Sequence, residues 1–190
     1  MKHHGCSLVA LLALAVALTA DAEDAPKPAQ QSEDITMIVD LRAGLPGVFQ
    51  YASWNGKVAA TKSGLAVLGG KGAQGNGGLG REIAPAVSFS DVQYVELALG
   101  TIPGNEVPQV TIALNDADGT QFTARVPVEQ LVPGQPVWLR ARREDFRLNN
   151  VERGADAQMD WNQVARWHLQ GDWTTMKPMC VIFVALRVRR

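Results

Sequence analysis

The clearest signal along the chain is an alternation of hydrophobic and polar residues. In "VQYVELALG" the hydrophobic residues Val95, Leu97 and Leu99 are spaced two apart. The same period continues in "QVTIALN", "TQFTARV" and "VWLRA", at Val110, Ile112, Leu114, Phe122, Ala124, Val126, Val137, Leu139 and Ala141. A period of two places alternate side chains on opposite faces of a β-strand. The pattern therefore predicts several strands, each buried on one face.

Turn-forming residues separate these segments. Residues 115–119, "NDADG", predict a β-hairpin, and the Pro-Gly pair at 133–134 predicts a turn before the next strand. The last segment is hydrophobic on both faces from 179 to 186, which is typical of a strand in the middle of a covered sheet. Helical signals are limited to a turn after Asp160. The predicted fold class is all-β, an antiparallel β-sandwich (jelly roll) of eight to ten strands with little helix.

The N-terminal part of the chain has a different character. Lys2 precedes a hydrophobic run over 8–18, and Ala20-x-Ala22 offers a small-residue cleavage site, so we expect a signal peptide over 1–22. The run is shorter than the roughly 20 residues that span a bilayer, although a retained N-terminal anchor is the alternative. Residues 23–34 are polar and contain proline, as in a disordered linker, and the β-sandwich domain is expected over 35–190. The predicted location is secreted or periplasmic, with no membrane span after the signal is removed.

The charge pattern argues against one class of partner, and the cysteine content argues against a disulfide. The chain has 18 basic and 19 acidic residues without a basic or acidic block, which argues against nucleic acid as a partner. Cys6 belongs to the predicted signal peptide, so Cys180 would be the sole cysteine of the mature chain and no intramolecular disulfide could form. Cys180 lies in the most hydrophobic segment, where an inert core thiol is expected.

A glycine-rich stretch matches the dinucleotide-binding fingerprint at Gly70, Gly72 and Gly75. That fingerprint works because the loop leads into a helix whose N-terminal N–H groups meet the pyrophosphate. Here the loop leads into "REIAPAVSFS", where Pro85 prevents a helix of useful length. The context therefore argues against a nucleotide as ligand.

Catalytic and metal-binding candidates are few. His168 would be the sole histidine after signal removal, and no nucleophile elbow accompanies it, so we interpret it as a strand histidine. Asp116 and Asp118 flank the predicted hairpin turn and are weak calcium candidates, although turn chemistry alone also explains them. Calcium is thus the one cofactor considered. We predict that the protein is not an enzyme; a hydrolase would need two suitably spaced carboxyl groups.

The tryptophans are the more informative residues. Trp54 and Trp173 lie in turn-like segments beside Asn55 and Asp172, and Trp161 starts another turn. An exposed indole can stack on the C–H face of a sugar ring while neighbouring polar groups meet its hydroxyls. These five residues are therefore the predicted ligand-binding residues. The alternative is that the indoles fill the ends of the sandwich, since tryptophan is usually well buried.

Three segments together resemble a known group of folds. "VPGQPVWLRARREDFRLN", then "DWNQVARWHLQGDW", then "MCVIFVALRVR" is an order similar to that of galactose-binding-domain-like jelly rolls. The similarity is to complex I intermediate-associated proteins and related carbohydrate-binding modules, and the segment Trp54-Asn55-Gly56 followed by a glycine-rich loop fits as well. The resemblance implies a jelly roll, and many members of this fold bind glycans.

The function expected from these observations is an exported, non-catalytic binding module for carbohydrate or a surface glycan. The alternative is a structural or protein-interaction domain of the cell envelope without a small ligand. The first predicts exposed indoles and the second buried ones.

Overall fold

The computed structural model describes residues 34–43, 47–51, 57–68, 78–171 and 177–190. The predicted signal peptide, nearly all of the predicted linker and the glycine fingerprint lie outside this part of the chain. The strands in the described residues are β1 (Ile35–Asp40), β2 (Phe49–Tyr51), β3 (Lys57–Thr61), β4 (Gly64–Leu68), β5 (Gly78–Val87), β6 (Tyr94–Thr101), β7 (Gln109–Asp116), β8 (Thr120–Pro127), β9 (Val137–Arg142), β10 (Arg147–Val151), β11 (Val164–Gln170) and β12 (Cys180–Arg189). Two 3₁₀ turns, Leu41–Ala43 and Arg143–Asp145, are the helical elements described.

Sheet A has the strand order β3-β4-β12-β6-β9, and β1 also pairs with β12. β12 is hydrophobic on both faces because it lies in the interior of this sheet, paired with β4 and β1 along one edge and with β6 along the other. The prediction of a central last strand is therefore confirmed. Cys180, the first residue of β12, is buried as expected.

Sheet B has the strand order β10-β8-β7-β11-β5-β2, with antiparallel pairing throughout. The predicted hairpin over 115–119 is confirmed, since β7 ends at Asp116 and β8 begins at Thr120. Gly119 in this turn has a φ of +99°, and a Cβ there would lie 2.8 Å from the side chain of Glu152. Both facts favour glycine at this position.

The two sheets pack their hydrophobic faces against each other. Val95, Leu97 and Leu99 of β6 are buried in this core, as are the inward residues of β7. Trp167 of β11 and Phe183 of β12 meet edge to face across the two sheets, with ring centroids 5.3 Å apart. The period-two pattern thus identifies the core faces correctly, apart from Val137, which begins the edge strand β9 and is 42% exposed.

The all-β antiparallel sandwich predicted from the sequence is confirmed, but the described residues contain twelve strands rather than the predicted eight to ten. The additional strands are short, such as the three-residue β2, and carry too few residues for a period to be recognised. Pro85 lies within β5 and not in a helix, as expected. Where the structure is described, no helix has the length and hydrophobicity needed to cross a membrane.

Candidate functional site

The outer face of sheet B forms a trough of about 460 Å³ that is lined by polar and charged residues. Its floor comes from the positions of β7, β8 and β11 that alternate with the core positions. The lining residues are Thr111, Asn115, Gln121, Thr123, Arg125, Asn149, Asn150, Glu152, Arg166, His168 and Gln170. Outward positions of a solvent-facing sheet are expected to be polar, but several of these side chains are also buried. Asn115 is 2% exposed, His168 6% and Gln121 8%.

Strand register arranges these side chains in three rows across the sheet. The rows are Gln170, Thr111 and Arg125; then His168, Ala113 and Thr123; then Arg166, Asn115 and Gln121. β5 continues the rows with Gly78, Gly80 and Glu82. The trough is therefore a regular product of strand pairing, which fixes the spacing of its polar groups.

Hydrogen bonds between amides hold one end of the trough in place. Asn149 donates from Nδ2 to Oε1 of Gln121 over 2.7 Å, and Gln121 donates from Nε2 to Oδ1 of Asn115 over 3.1 Å. The chain of bonds links β10, β8 and β7. A buried amide whose bonds are satisfied keeps one orientation, so the positions of these polar groups are fixed.

A glycine of β5, Gly80, keeps the trough open on its other side. Gly80 lies opposite His168 in register, and a Cβ on Gly80 would lie 2.7 Å from the carbonyl oxygen of Trp167 and 3.0 Å from Nδ1 of His168. Separations below 3.0 Å from backbone atoms require the structure to move. Glycine therefore permits both the tight strand pairing and the open floor beside the imidazole.

Arg166 in the trough is paired with two carboxylates. Arg166 donates from Nε to Glu82 over 2.6 Å and from Nη1 to Glu152 over 3.1 Å. Burial opposes the charge on Arg166, but these two carboxylates raise its pKa. Burial, with a smaller contribution from Arg166, lowers the pKa of His168 to about 4, so the imidazole is neutral at pH 7. The trough thus presents neutral donors and acceptors together with two cations, Arg125 and the Arg166 that is held between two carboxylates.

The predicted residue Trp161 lies elsewhere, at the end of the sandwich. Its indole packs edge to face against Phe122 and Phe146, with centroid distances of 6.2 and 5.9 Å, and the guanidinium of Arg143 lies 5.9 Å from its ring centroid. It lines an open depression of about 990 Å³. Most of its contacts are those of a residue that closes the sandwich end, which was the alternative explanation.

The other predicted ligand-binding residues, Trp54, Asn55, Asp172 and Trp173, lie outside the described residues. Trp161 precedes β11, whereas the segment with Asp172 and Trp173 follows it. Seven strand residues separate these two ends, a distance of about 20 Å at roughly 3.3 Å per residue. Trp161 and the segment with Asp172 and Trp173 are therefore joined to opposite ends of β11, and the grouping of all five residues in one site stays a prediction.

The calcium candidates Asp116 and Asp118 are used as turn residues. Oδ1 and Oδ2 of Asp116 accept the backbone N–H of Thr120 and Asp160, and those of Asp118 accept the N–H of Thr120 and Asp156. Burial raises the pKa of Asp116, while the hydrogen bond from Asp116 lowers the pKa of Asp118 to about 2. Four oxygens that already accept N–H bonds do not fit calcium, which takes six to eight oxygen ligands. Nowhere in the described ranges do three or more acidic, histidine or cysteine side chains gather as a metal site.

The trough itself was not predicted from the sequence. In the sequence, the trough corresponds to the polar positions that alternate with the hydrophobic ones. These are Thr111 and Asn115 in β7, and Arg166, His168 and Gln170 in β11. A polar outward face is expected of any half-buried strand, so its presence alone does not indicate a site. The distinguishing feature is burial of these polar groups, which depends on the neighbouring strands.

Comparison with solved structures identifies the architecture. A family 11 carbohydrate-binding module from Clostridium thermocellum, solved in complex with a β-1,3-1,4-mixed-linked tetrasaccharide, superposes with a TM-score of 0.61 at 12% identity, over 81% of this chain and 94% of that one. The chain has the jelly-roll fold of these modules. The xylan-binding module CBM15 matches with a TM-score of 0.56 at 11% identity, over 83% of this chain and 96% of that one.

A larger protein also contains this fold. The agarase AgWH50C matches with a TM-score of 0.58 at 12% identity over 82% of this chain, but over only 24% of its own length. No protein-family model matches the sequence, and no curated protein matches it either. At identities this low, the superpositions establish the shared jelly-roll fold alone. The resemblance to complex I intermediate-associated proteins stays a prediction.

Proposed function

We propose that the protein is an exported, non-catalytic module that binds a polysaccharide along the trough of sheet B. The observation that carries this proposal is the set of buried, hydrogen-bonded polar side chains on the outer face of β7, β8 and β11. Burying amides and an imidazole costs stability unless they are hydrogen-bonded, so their presence on a solvent-facing sheet supports a binding function. Sugar hydroxyls both donate and accept hydrogen bonds, which matches a lining of amides, hydroxyls and a neutral histidine.

The shape of the trough suits a chain of sugars. From Arg166 to Gln170 the floor follows β11 for about 13 Å, at roughly 3.3 Å per residue, which exceeds one pyranose ring. The chain shares its fold with a module solved in complex with a mixed-linked tetrasaccharide and with a xylan-binding module. Those ligands guide the choice of polysaccharide to test.

The predicted tryptophans Trp54 and Trp173 fit this proposal through the connectivity of the strands. Gly78 pairs with Tyr51 of β2 on one side and with Gln170 of β11 on the other. Trp54 follows Tyr51 by three positions in the sequence, and Trp173 follows Gln170 by three. Strands β2 and β11 therefore end on the same side of the trough, three positions before Trp54 and Trp173 in the sequence, and an indole that stacks on a sugar ring would complement the polar floor.

The two carboxylates beside the trough argue for binding rather than hydrolysis. Glu82 and Glu152 are both ion-paired with Arg166. A glycosidase needs one protonated carboxylic acid at the glycosidic oxygen and a second carboxylate across the sugar. Because one guanidinium engages both groups, neither is presented as a general acid.

The test is titration calorimetry of the full chain with mixed-linked β-glucan, xylan and agar oligosaccharides, with and without calcium. Asn149→Ala removes an exposed member of the amide chain, and we expect it to weaken binding about tenfold, the value of one well-placed hydrogen bond. Gln121→Ala removes both links and should weaken it further. Gln135→Ala, an exposed glutamine in the turn before β9, is the matched control and should change nothing.

Two results would contradict the proposal. If a glycan binds but Asn149→Ala and Gln121→Ala bind it as tightly as the unmodified chain, the trough is not the site. If the folded chain binds none of these polysaccharides, the interpretation as an envelope interaction domain takes its place. Trp54→Ala and Trp173→Ala test separately whether the loop indoles contribute.

A further inference from the structure

The outer face of sheet A carries a second cluster of charged and aromatic side chains, on the opposite side of the sandwich from the trough. Glu96 of β6 lies opposite Arg140 of β9 and Arg187 of β12 in register. Its Oε1 is 2.7 Å from Nε of Arg140 and 3.0 Å from Nε of Arg189, and its Oε2 is 2.5 Å from Nε of Arg187. Three guanidinium groups therefore surround one carboxylate.

The cluster has an excess of positive charge. Glu96 is completely buried, so its single negative charge is neutralised within the cluster. The neighbouring acidic residues pair with other arginines: Asp91 with Arg190 and Glu144 with Arg142. Arg140 and Arg187 carry two positive charges against the single charge of Glu96, which favours an anionic partner at this face.

The carboxylate also fixes the direction of the arginines. Because each guanidinium uses Nε to reach Glu96, its planar fork is held in a defined orientation. Arg140 remains 53% exposed, and a guanidinium presented in this way can bind a carboxylate in bidentate geometry.

An indole lies directly beside these charges. The guanidinium of Arg187 stacks on Trp138 with 3.7 Å between Cζ and the ring centroid, while Trp138 remains 37% exposed. Trp138 lies opposite Ala98 in register, and Ala98 lies opposite Ala185, so the neighbouring floor carries only methyl groups. Arg187 covers one face of the indole, so a sugar ring would stack on the other face, and the alanine methyl groups leave room at their two positions.

We propose that this arginine–tryptophan platform (Trp138, Arg140 and Arg187) binds the hexuronate units of an acidic polysaccharide. A hexuronate combines the two features that the platform matches, a C–H face for the indole and a carboxylate for a guanidinium. An acidic peptide would satisfy the charge but would not require a partly exposed indole beside it. The site is independent of the trough, so its presence does not depend on the function proposed there.

The experiment compares binding of the full chain to polygalacturonate, to its methyl ester and to dextran sulfate. The ester keeps the ring and removes the charge, whereas dextran sulfate keeps a negative charge on a different ring and linkage. We expect binding to polygalacturonate that weakens as salt is raised, and at least tenfold weaker binding to the other two polymers.

Variants then locate the site. Arg140→Gln and Trp138→Ala should each weaken polygalacturonate binding on the order of tenfold, while Arg140→Lys, which keeps the charge but loses the planar fork, should give an intermediate loss. Arg153→Gln, an exposed arginine outside the platform, is the matched charge control. Asn149→Ala in the trough should leave polygalacturonate binding unchanged.

Several outcomes would overturn the proposal. Equal binding to the methyl ester would exclude recognition of the carboxylate, and equal binding to dextran sulfate would show a nonspecific attraction between charges. The proposal would also be overturned if folded Arg140→Gln and Trp138→Ala bound polygalacturonate with unchanged affinity. It would be overturned too if the folded chain did not bind polygalacturonate. If Asn149→Ala loses only the binding of neutral glycans, that result concerns the trough and does not contradict the site on sheet A.

Discussion

Acidification should destabilise the protein through His168. This imidazole is 6% exposed in the floor of the trough, and burial lowers its pKa to about 4. The residues opposite it on the two neighbouring strands are Gly80 and Ala113, which carry no titratable group. The charged residue that acts on it is Arg166 of the same strand, and it disfavours protonation as well.

The magnitude follows from the difference in pKa between the two states. The histidine takes up its proton near pH 6.5 in the unfolded chain and near pH 4 in the folded one. Between these values the unfolded state binds more protons, so the free energy of unfolding falls as the pH is lowered. The stabilisation is fully present above about pH 6.5 and is lost on approaching pH 4. A difference of about 2.5 units corresponds to about 3 kcal/mol.

The assay is urea denaturation of the full chain at a series of pH values from 7.5 to 4, repeated for His168→Gln. Other groups with altered pKa values, such as Glu96 and Asp118, contribute equally to both proteins and cancel in the difference. We expect the unmodified chain to lose about 2–3 kcal/mol more than the variant over this range. Parallel pH curves for the two proteins would refute the assignment of the effect to a buried neutral imidazole.

Three further predictions concern stability and can be measured by the same denaturation. Gly80→Ala should cost about 1–3 kcal/mol, because its Cβ would lie 2.7 Å from the carbonyl oxygen of Trp167; an unchanged midpoint would show that β5 can shift freely. Glu96→Gln should cost about 3–5 kcal/mol, since it removes the buried carboxylate that Arg140 and Arg187 contact, whereas exposed Glu129→Gln should have little effect; equal effects would contradict the buried ion cluster. Phe183→Ala should cost about 3–5 kcal/mol by opening a cavity against Trp167, and a loss below 1 kcal/mol would contradict the close packing of the core.

The fold was largely predictable because its core is encoded in local periodicity. Val95, Leu97 and Leu99 repeat every two residues, and the last strand is hydrophobic on both faces because it lies between neighbours in a covered sheet. Strand order was not predictable, since partners such as β6 and β12 are about 90 positions apart and no local pattern specifies that pairing.

The site was harder to predict than the fold. The sequence directed attention to tryptophans, and Trp161 proves to pack against two phenylalanines. The trough is formed by Asn115, Gln121 and Asn149, whose hydrogen bonds join three strands. Such a network exists only once the strands are in register, so composition and residue spacing do not predict it. Likewise, Glu96 appears in the sequence as an ordinary outward residue, and only the pairing of β6 with β9 and β12 brings three arginines to it.

Chemical-shift mapping of the backbone amides during titration with a bound oligosaccharide tests the central claim most directly. If the trough of sheet B binds the glycan, the largest changes will fall on β7, β8 and β11, at Thr111, Asn115, Gln121, His168 and Gln170. Changes confined to the depression around Trp161, or to the outer face of sheet A when a neutral glycan is used, would contradict the account.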